Sequence, residues 1–345
     1  DQINDAAWVA PGNQLLVGSV GNEFAVSPLS NSDPLGPANI EAKQQTAHGS
    51  RQVRPVRVND SLLFVQRAGR KLREIRYSFD TSSYATNDLT VLSDHITKGQ
   101  VVQLAYQQEP HSVVWSCCND GSLLGFTFNR EQRVTGWHRH PIGGNENGVA
   151  VESVATIPSP YGDRDELWII VRRDINGTVH RYVEYMERDW NQAEGSTIED
   201  AFFVDSGLTY SGAPATVLSG LGHLEGETLQ CLVNGAAHPD VVVSGGSVTL
   251  QRQATKAHVG YGFVSRLTTM RIEAVSDFGT AQGKIKRIAW VILRVLGTRG
   301  GLVGPPGGQL DPIMYRSPAD PMGAALSPFT GDTERIQWPN GYERD

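Results

Sequence analysis

The sequence predicts an all-β protein in which β-propeller blades are followed by a smaller β-sandwich or barrel-like domain. Residues 101–141 read as four short strands separated by tight turns, which is the pattern of one compact antiparallel sheet. Similar stretches recur along the chain, and its 37 glycines and 18 prolines suit a turn-rich β protein better than a helical one. Because a four-stranded sheet cannot bury both of its faces alone, we expect these repeats to stack on one another.

The repeats are spaced like propeller blades. The most apolar strand of each repeat begins at Leu15, Leu62, Val113 and Leu167. These starts lie about fifty residues apart, which is the interval typical of blades. Residues 1–190 are therefore predicted to form a propeller region with about four visible blades. The repeat units cover residues 7–28, 53–79, 101–141 and 154–186.

Two polar stretches are predicted to connect the blades. Residues 27–41 are rich in Ser, Asn, Pro and Gly, and the polar and aromatic residues 77–94 suit a long excursion between blades. Such excursions are where a propeller usually carries its binding surface. In the last repeat, Asn176-Gly177 is a strong hairpin signal because both residues tolerate positive φ.

Residues 200–300 are predicted to form the second β-domain. The predicted strands cover residues 205–220, 227–234, 240–250, 257–263 and 267–274. The second and third of them suggest a hairpin around Gly245-Gly246.

The C-terminal part of the chain carries weaker signals. Residues 285–296 fit both a helical stripe and a strand, and their β-branched content together with the flanking glycines favours a strand. Residues 300–345 are rich in Gly and Pro and are predicted to form an extended arm or loops.

Composition excludes some classes of function. The formal net charge of −7 disfavours a surface that holds nucleic acid tightly, because phosphate neutralisation needs clustered Lys and Arg. The sequence contains no run of 18 apolar residues, so no membrane-spanning segment is predicted. Its three cysteines, Cys117, Cys118 and Cys231, have neither a disulfide pattern nor zinc-ligand spacing. Buried thiols in a reducing compartment are the expectation.

Two glycine-rich stretches imitate nucleotide-binding loops without matching them. Residues 279–285 are one residue short of a phosphate loop and have Ile285 where a Mg²⁺-binding Ser or Thr is required. Residues 220–226 miss the dinucleotide-binding spacing and are predicted to be a turn.

Three clusters of polar residues are candidates for a functional site. His138 and His140 share one face of a predicted strand, but a metal site needs a third ligand. Acidic residues in a blade turn could serve glycoside hydrolysis, although a solvated turn explains them more simply. The acidic residues are Asp163, Asp165 and Glu166. We therefore expect no catalytic residue, no cofactor, no metal and no enzymatic activity.

A basic cluster is the third candidate. It consists of Arg67, Arg70, Lys71, Arg73 and Arg76. Because these side chains alternate between the two faces of a hairpin, their charge is divided, which favours solvated edges or an acidic neighbour over a nucleic-acid groove.

Several runs resemble the tail nozzle proteins, the tail tubular protein B class, of short-tailed bacteriophages. The most distinctive run extends from Tyr106-Gln-Gln-Glu-Pro110 to Arg139-His140. The other similar runs are residues 53–79, 165–188, 220–240 and 264–288. Relative to the usual family member, the chain is expected to be shorter at both ends.

The resemblance implies a structural virion protein of the phage tail, assembled in the bacterial host cytoplasm. Its fold would be a β-propeller flanked by β-domains, and it would form a homohexameric tube below the portal and adaptor rings. The partners would be the tail adaptor and the tail needle, fibre or spike proteins. Genomic DNA would pass through the channel during ejection without sequence-specific binding, which suits an acidic chain.

A host-receptor or glycan-binding propeller module is the alternative, because residues 77–94 contain aromatic side chains that could be exposed. Tyr84 in this stretch is a candidate interface residue. Trp338 and Tyr342, which lie in the Gly- and Pro-rich arm, are candidates for packing on a neighbouring subunit or domain.

Overall fold

Short antiparallel sheets make up the regular structure of this chain, and its only helices within the described residues are single 3₁₀ turns. The computed structural model describes residues 5–30, 33–145, 148–191, 195–270, 273, 280, 285, 287–321 and 325–338. The chain divides into two compact units, Asp1–Arg188 and Asp189–Asp345. The all-β prediction is thus confirmed. Within the described residues, no helix is long and apolar enough to cross a membrane.

The first sheet is a four-stranded antiparallel meander. Its strands are β1 (Ala6–Ala10), β2 (Leu15–Ser19), β3 (Glu23–Pro28) and β4 (Ile40–Thr46). The polar residues 27–41 therefore form the end of β3, the loop from β3 to β4 and the start of β4. Because both strands belong to one sheet, the prediction that these residues connect two blades is wrong. The fourth strand was missed because its sequence, IEAKQQT, is largely exposed and has no apolar alternation.

The second sheet has the same order. Its strands are β5 (Val56–Val58), β6 (Ser61–Val65), β7 (Leu72–Ser78) and β8 (Ser83–Asp88). The predicted excursion over residues 77–94 instead contains the end of β7 and the whole of β8, and only residues 89–100 connect to the next sheet. A 3₁₀ turn, Thr97–Gly99, lies in that connection.

The third sheet follows the predicted pattern closely. Its strands are β9 (Val101–Gln107), β10 (Val113–Cys118), β11 (Leu123–Asn129) and β12 (Val134–His140). Both residues of the turn dipeptide Asp120-Gly121 come between β10 and β11, and Gly121 has a φ of 84°, a conformation that favours glycine.

The fourth sheet has three strands. They are β13 (Ala150–Pro158), β14 (Asp165–Ile175) and β15 (Thr178–Tyr185). The hairpin predicted at Asn176-Gly177 joins β14 to β15, with φ values of 48° and 79°. This prediction is confirmed.

The four sheets pack face to face in sequence order. The first and second sheets share a core around Trp8, Leu16, Leu62 and Phe64. The second and third share one around Leu63, Val65, Val114 and Phe126. The third and fourth share one around Val113, Trp115, Leu167 and Ile169. Each β10 residue is buried, because β10 is covered by a sheet on both faces.

Backbone hydrogen bonds repeat at each of these junctions. Ser50 N–H donates to the Ser19 carbonyl at 2.7 Å, Val101 N–H to Gly69 at 2.8 Å, and Val151 N–H to Gly121 at 2.8 Å. In each case the end of one sheet's second strand, or the turn that follows it, holds the chain entering the next sheet. Among the described residues no buried cluster joins the fourth sheet to the first, so the stack does not close into a ring.

The second unit contains one larger sheet. Its strands are β16 (Asp205–Ser219), β17 (Thr228–Val233), β18 (Ala236–Val242) and β19 (Ser247–Tyr261), in the spatial order β16-β19-β17-β18. Gly245-Gly246 forms the predicted turn, closed by antiparallel pairing of Ser244 with Ser247, but the pairing ends there because β18 and β19 are not neighbours in the sheet. A longer hairpin lies at Asn234-Gly235, between β17 and β18. Two 3₁₀ turns, Ile198–Asp200 and Gly222–Leu224, flank β16.

Residues 287–321 and 325–338 contain a two-stranded antiparallel ribbon in three short ladders. The strands are β20 (Trp290–Val291), β21 (Arg294–Thr298), β22 (Leu302–Val303), β23 (Asp311–Pro312), β24 (Phe329–Asp332) and β25 (Ile336–Gln337). The strand prediction for residues 285–296 is confirmed over β20 and the start of β21. Residues 267–270 are not a strand, and most of the remaining residues up to 274 lie outside the described part.

Candidate interaction surfaces

The outer face of the fourth sheet is apolar and uncovered. Side chains of β14 alternate, so that Leu167, Ile169 and Val171 face the third sheet while Trp168 and Ile170 point the other way. On the neighbouring strand, Tyr185 pairs with Trp168 and Val183 pairs with Ile170. We call Trp168, Ile170, Val183 and Tyr185 the trailing face. Val183 is 67% exposed, and the Trp168 and Tyr185 rings stack with their centroids 5.2 Å apart.

Charged pairs border the trailing face. At one end Glu152 lies between two arginines, with its carboxylate 2.7 Å from Arg181 Nε and 3.7 Å from Arg172 Nε. The hydrogen bond from Arg181 lowers the pKa of Glu152. At the other end the buried Glu166 accepts from Arg164 and from Trp168 Nε1, each at 3.2 Å. An apolar centre with a polar border is the arrangement of a protein interface.

The first sheet also leaves one apolar face uncovered. Val9, Val17 and Phe24 are cross-strand partners on β1, β2 and β3. They point away from the second sheet, and we call them the leading face. Val9 is 56% exposed, and Val17 and Phe24 are half-buried. The stack therefore ends in an apolar face on both sides.

Tyr84 lies in the hydrophobic core between the first and second sheets, and only 8% of it is exposed. Burial raises the pKa of its hydroxyl. The aromatic residue available for contact in this stretch is instead Phe79, which is 84% exposed. Tyr77 lies between them, with its ring edge-on to both neighbours at centroid distances of 5.2 Å and 5.3 Å.

Trp338 is half-buried at the base of the ribbon, where its N–H donates to the Ala289 carbonyl at 3.2 Å. Tyr342 lies outside the described residues. Trp290, a partly exposed residue on the ribbon, was not predicted from the sequence. The Arg335 guanidinium lies over its ring, 4.6 Å from the ring centroid, in a cation–π contact. Exposed apolar residues alternating along a two-stranded ribbon are the signal that could have found it.

The two strand histidines contact each other. His138 Nδ1 and His140 Nε2 lie 2.6 Å apart, so one donates to the other, and both rings pack edge-on against Trp115. His138 Nε2 also lies 3.1 Å from Thr127 Oγ1. Burial lowers the pKa of His138, and burial together with the neighbouring His138 lowers that of His140 to about 4. In the part of the chain that the structure describes, no third metal-binding side chain joins them.

The acidic blade turn is occupied by structural contacts. Asp165 accepts backbone N–H bonds from Gln108 at 2.8 Å and Glu109 at 3.2 Å, which ties the fourth sheet to the third. Asp163 pairs with Arg164 and Arg188. These carboxylates are therefore engaged by arginines and backbone donors, and because Glu166 is buried the expectation of a solvated turn does not hold for it.

The basic cluster is divided between the two ends of β7. Lys71 pairs with Asp88 at 2.7 Å at the start of the strand, and Arg76 pairs with Asp60 at 2.6 Å near its end. Arg70 lies 3.9 Å from Asp94. The expectation of a divided charge is confirmed, and much of that charge is matched by aspartates.

The glycine-rich stretches differ in what can be said of them. Residues 220–226 form a turn, in which Gly220 and Gly226 have φ values of 97° and 81°, and this prediction is confirmed. Most of residues 279–285 lie outside the described part.

All three cysteines are free and buried, which raises the pKa of Cys117 to about 12 and those of Cys118 and Cys231 to about 11.

Two buried ionic groups were not predicted from the sequence. Glu74 is 2% exposed and accepts from Ser61 at 2.5 Å, from Asn87 at 3.1 Å and from Arg130 of the third sheet. Arg173, on the inward phase of β14, donates to Glu184 at 2.8 Å and 2.9 Å and to the Gly143 carbonyl. A charged residue on the inward phase of an apolar strand is the signal that could have found Arg173.

The geometry defines a class, namely an all-β protein built around a stack of antiparallel sheets. No family model matches the sequence, and no curated protein matches it significantly. Among solved structures, an S. cerevisiae complex of Dbp5 and Gle1 variants with Nup159, IP6 and ADP is similar at 15% sequence identity and a TM-score of 0.30. That match covers 72% of this chain and 62% of the other, and its TM-score is too low to support a shared fold or function.

Proposed function

We propose that this protein is a structural component of a short-tailed bacteriophage tail, the nozzle that extends the channel for DNA ejection. The observation that supports the proposal best is the stack of four antiparallel sheets. The stack contains the runs that resemble the nozzle family, residues 53–79, 106–140 and 165–188. In this reading the stack is part of a β-propeller within a homohexameric tube below the portal and adaptor.

The polar groups of the stack serve its own packing. Glu74 and Arg130 join the second sheet to the third, and Asp165 joins the third to the fourth. Because these side chains are engaged by structural partners, they support a scaffold rather than a reaction centre. The expectation that the chain is not an enzyme follows from the same reading.

The charge of the chain suits a channel through which DNA moves. A net charge of −7 and the ion pairs of the basic cluster leave little concentrated positive charge for phosphates. Weak attachment of this kind lets DNA slide, whereas a basic groove would retain it. The proposed partners are the tail adaptor, the tail needle, fibre or spike proteins, and passing genomic DNA.

Assembly on a portal and adaptor ring tests this proposal. The purified chain, alone and mixed with portal–adaptor complexes of short-tailed phages, is imaged by negative stain and its mass is measured by light scattering. We expect six-fold rings with an axial channel that extend the adaptor ring. Particles without six-fold symmetry, both alone and with the adaptor, would contradict the nozzle function.

A receptor- or glycan-binding module is the second candidate, and one specific observation favours it. Phe79 projects from the turn between β7 and β8 and packs edge-on against Tyr77, which in turn contacts the buried Tyr84. An exposed ring of this kind can stack on the apolar face of a sugar.

A glycan array probed with the wild-type chain and with Phe79→Ala distinguishes the two candidates. Leu92→Ala, at another highly exposed apolar residue, is the control. Binding that Phe79→Ala abolishes and Leu92→Ala preserves would favour the receptor-binding module. The absence of glycan binding by the wild-type chain would count against the receptor-binding module.

A further inference from the structure

The unmatched charge of the basic cluster lies on Arg67. The other four members of the cluster lie within 4.0 Å of Asp60, Asp88 or Asp94. Among the described residues no carboxylate pairs with Arg67, which is exposed just beyond the end of β6. Its backbone N–H donates to the Gly49 carbonyl at 3.1 Å, so Arg67 lies beside the chain that arrives from the first sheet.

Arg51 lies on the same side of this chain pair as Arg67. Ser50 and Gln66 form an antiparallel bridge, and the two arginines are the residues that follow them. Because side chains alternate along extended strands, both arginines point to the side opposite Ser50 and Gln66. Diagonal neighbours of this kind are about 7–8 Å apart, within reach of long side chains. One ligand between the two guanidinium groups can therefore contact both.

The guanidinium of Arg51 is held over a glycine. Its Nη1 donates to Gln100 Oε1 at 3.3 Å, and it occupies the space that a Cβ of residue 69 would fill. Gly69, with a φ of 78°, thus serves both the turn and the close approach of this side chain. Arg51 is half-buried, and no carboxylate among the described residues pairs with it. Burying part of a charge without a counterion is unfavourable, and a bound anion offsets this cost.

A lysine lies on the loop that packs beside the two arginines. Lys98 is exposed on the 3₁₀ turn between the second and third sheets, and Thr97 Oγ1 donates to the Arg70 carbonyl at 2.6 Å, which fixes this turn on the loop after β6. The Asp120 carboxylate lies against the same turn but already accepts from Ser122 N–H at 3.0 Å and Ser122 O–H at 2.6 Å. The described carboxylates therefore leave a group of three positive charges unmatched at this end of the second sheet.

We propose that Arg51, Arg67 and Lys98 bind a phosphate group. Guanidinium groups match phosphate oxygens with two parallel N–H bonds, and a lysine adds a compact positive charge. The inference rests on the proposed function only for the source of this group, which in a nozzle is the backbone of the passing DNA. One such site supplies about one phosphate contact, whereas proteins that hold DNA tightly make about 6–10. DNA that touches it therefore still slides.

Calorimetric titration with inorganic pyrophosphate tests the site, with Arg51→Gln and Arg67→Gln as the disrupting variants. Arg133→Gln is the matched control, because Arg133 is an exposed arginine in the turn between β11 and β12, at the opposite end of the third sheet. We expect each disrupting variant to bind about tenfold more weakly than wild type and the control to bind equally well. Equal affinities of wild type and both disrupting variants, or no binding by wild type, would overturn the inference.

Circular dichroism melts verify that the variants are folded. Arg67→Gln keeps the test valid if the half-buried Arg51 proves necessary for folding, because Arg67 is exposed.

Fluorescence anisotropy with a labelled duplex oligonucleotide, measured over a series of salt concentrations, tests DNA as the source of the phosphate. We expect the double variant Arg51→Gln/Arg67→Gln to reduce the slope of log affinity against log salt by about one, and Arg133→Gln to leave it unchanged. Arginine-dependent pyrophosphate binding without this change in slope supports the phosphate site and contradicts DNA as its source.

Ring assembly separates this inference from the proposed function. Six-fold rings on the adaptor, together with pyrophosphate affinity that the arginine variants do not change, support the nozzle and contradict the phosphate site. Arginine-dependent pyrophosphate binding by a chain that forms no six-fold rings supports the phosphate site and contradicts the nozzle.

Discussion

The third and fourth sheets are built from similar strands but are used differently. Each residue of β10, VVWSCC, is buried because a sheet covers each side of it. Strand β14, DELWIIVRRDI, is as apolar at its centre, yet Ile170 is exposed because no sheet among the described residues covers that side of the strand. A strand's composition therefore indicates how many faces it is suited to bury, and the apolar excess on β14 points to a missing neighbour.

The largest difference in stability between the two sheets is expected when their tryptophans are replaced by alanine. Trp115→Ala removes a 3% exposed ring from the core between the third and fourth sheets, and we expect it to lower the free energy of unfolding by about 3–5 kcal/mol. Trp168→Ala on the trailing face should cost only about 1–2 kcal/mol, because that ring is half-buried. Urea unfolding monitored by circular dichroism measures both values. Equal losses would show that the trailing face is covered in solution.

A smaller loss is expected where a buried charge joins the second sheet to the third. Glu74→Gln keeps the shape of the side chain but replaces a carboxylate that accepts from Ser61, Arg130 and Asn87, and we expect a cost of about 1–3 kcal/mol. Glu152→Gln, in the exposed ion pairs bordering the trailing face, should leave the free energy of unfolding nearly unchanged, because water screens exposed ion pairs. Matched denaturation curves compare the two. A larger loss of stability for Glu152→Gln than for Glu74→Gln would contradict the assignment of Glu74 to a buried junction and of Glu152 to an exposed border.

The buried Glu74 also predicts a dependence on acid. Burial would raise its pKa, but the hydrogen bonds from Ser61, Arg130 and Asn87 outweigh burial and lower it from 4.5. A carboxyl group with a lowered pKa in the fold stabilises it above pH 4.5, and this stabilisation is lost as the pH falls through the folded-state pKa. Unfolding curves of wild type and Glu74→Gln should therefore converge in acid. Parallel curves down to pH 2 would contradict the prediction.

The histidine pair beside Trp115 predicts a pH effect at milder acidity. Burial, followed by the neighbouring His138, holds the pKa of His140 at about 4 in the fold, below its ordinary value of 6.5. The unfolded chain takes up this proton first, so the free energy of unfolding should fall as the pH drops from 6.5 to 4 and then level off. His140→Gln should flatten this part of the profile, and His95→Gln, at an exposed histidine, should not. A wild-type profile that is flat over this range would exclude the effect.

The smallest effect concerns reactivity rather than stability. Burial raises the pKa of Cys117, between the third and fourth sheets, to about 12, and that of Cys118 to about 11, so neither thiolate forms at neutral pH. A maleimide dye should leave both unlabelled in native buffer and label them in denaturant. Rapid native labelling of Cys117 would show that the fourth sheet opens readily from the third.

Local signals predicted the elements with regular patterns. The strands of the third sheet follow from alternation bounded by turns, and the end of β14 follows from Asn176-Gly177, whose backbone conformations few other residues adopt. Strands β4 and β8 were missed because their residues are largely polar and have no regular apolar alternation, and β4 is also mostly exposed. At the edge of a sheet, hydrogen bonds to one neighbouring strand suffice, and no apolar pattern is required.

The candidate surfaces were predictable only in part. Phe79 and Tyr84 both lie in a stretch that the sequence marks as aromatic and polar, but one is exposed and the other is in a core. Tyr84 faces the first sheet because of the register of β8 against β7, and a shift of one residue would turn it to the other side, whereas Phe79 lies in the turn between these strands. The leading and trailing faces likewise exist only once the order of packing is known.

By itself the sequence determined the all-β class, the turns with special backbone conformations and the apolar strands at the centre of each repeat, because these depend on residues close together along the chain. Only the tertiary structure decided that Gly245-Gly246 joins strands that are not neighbours, that Glu74 meets Arg130 and that the stack ends in two open apolar faces. These features depend on contacts between residues far apart in sequence. Such contacts are selected by the burial of whole faces, which no local pattern records.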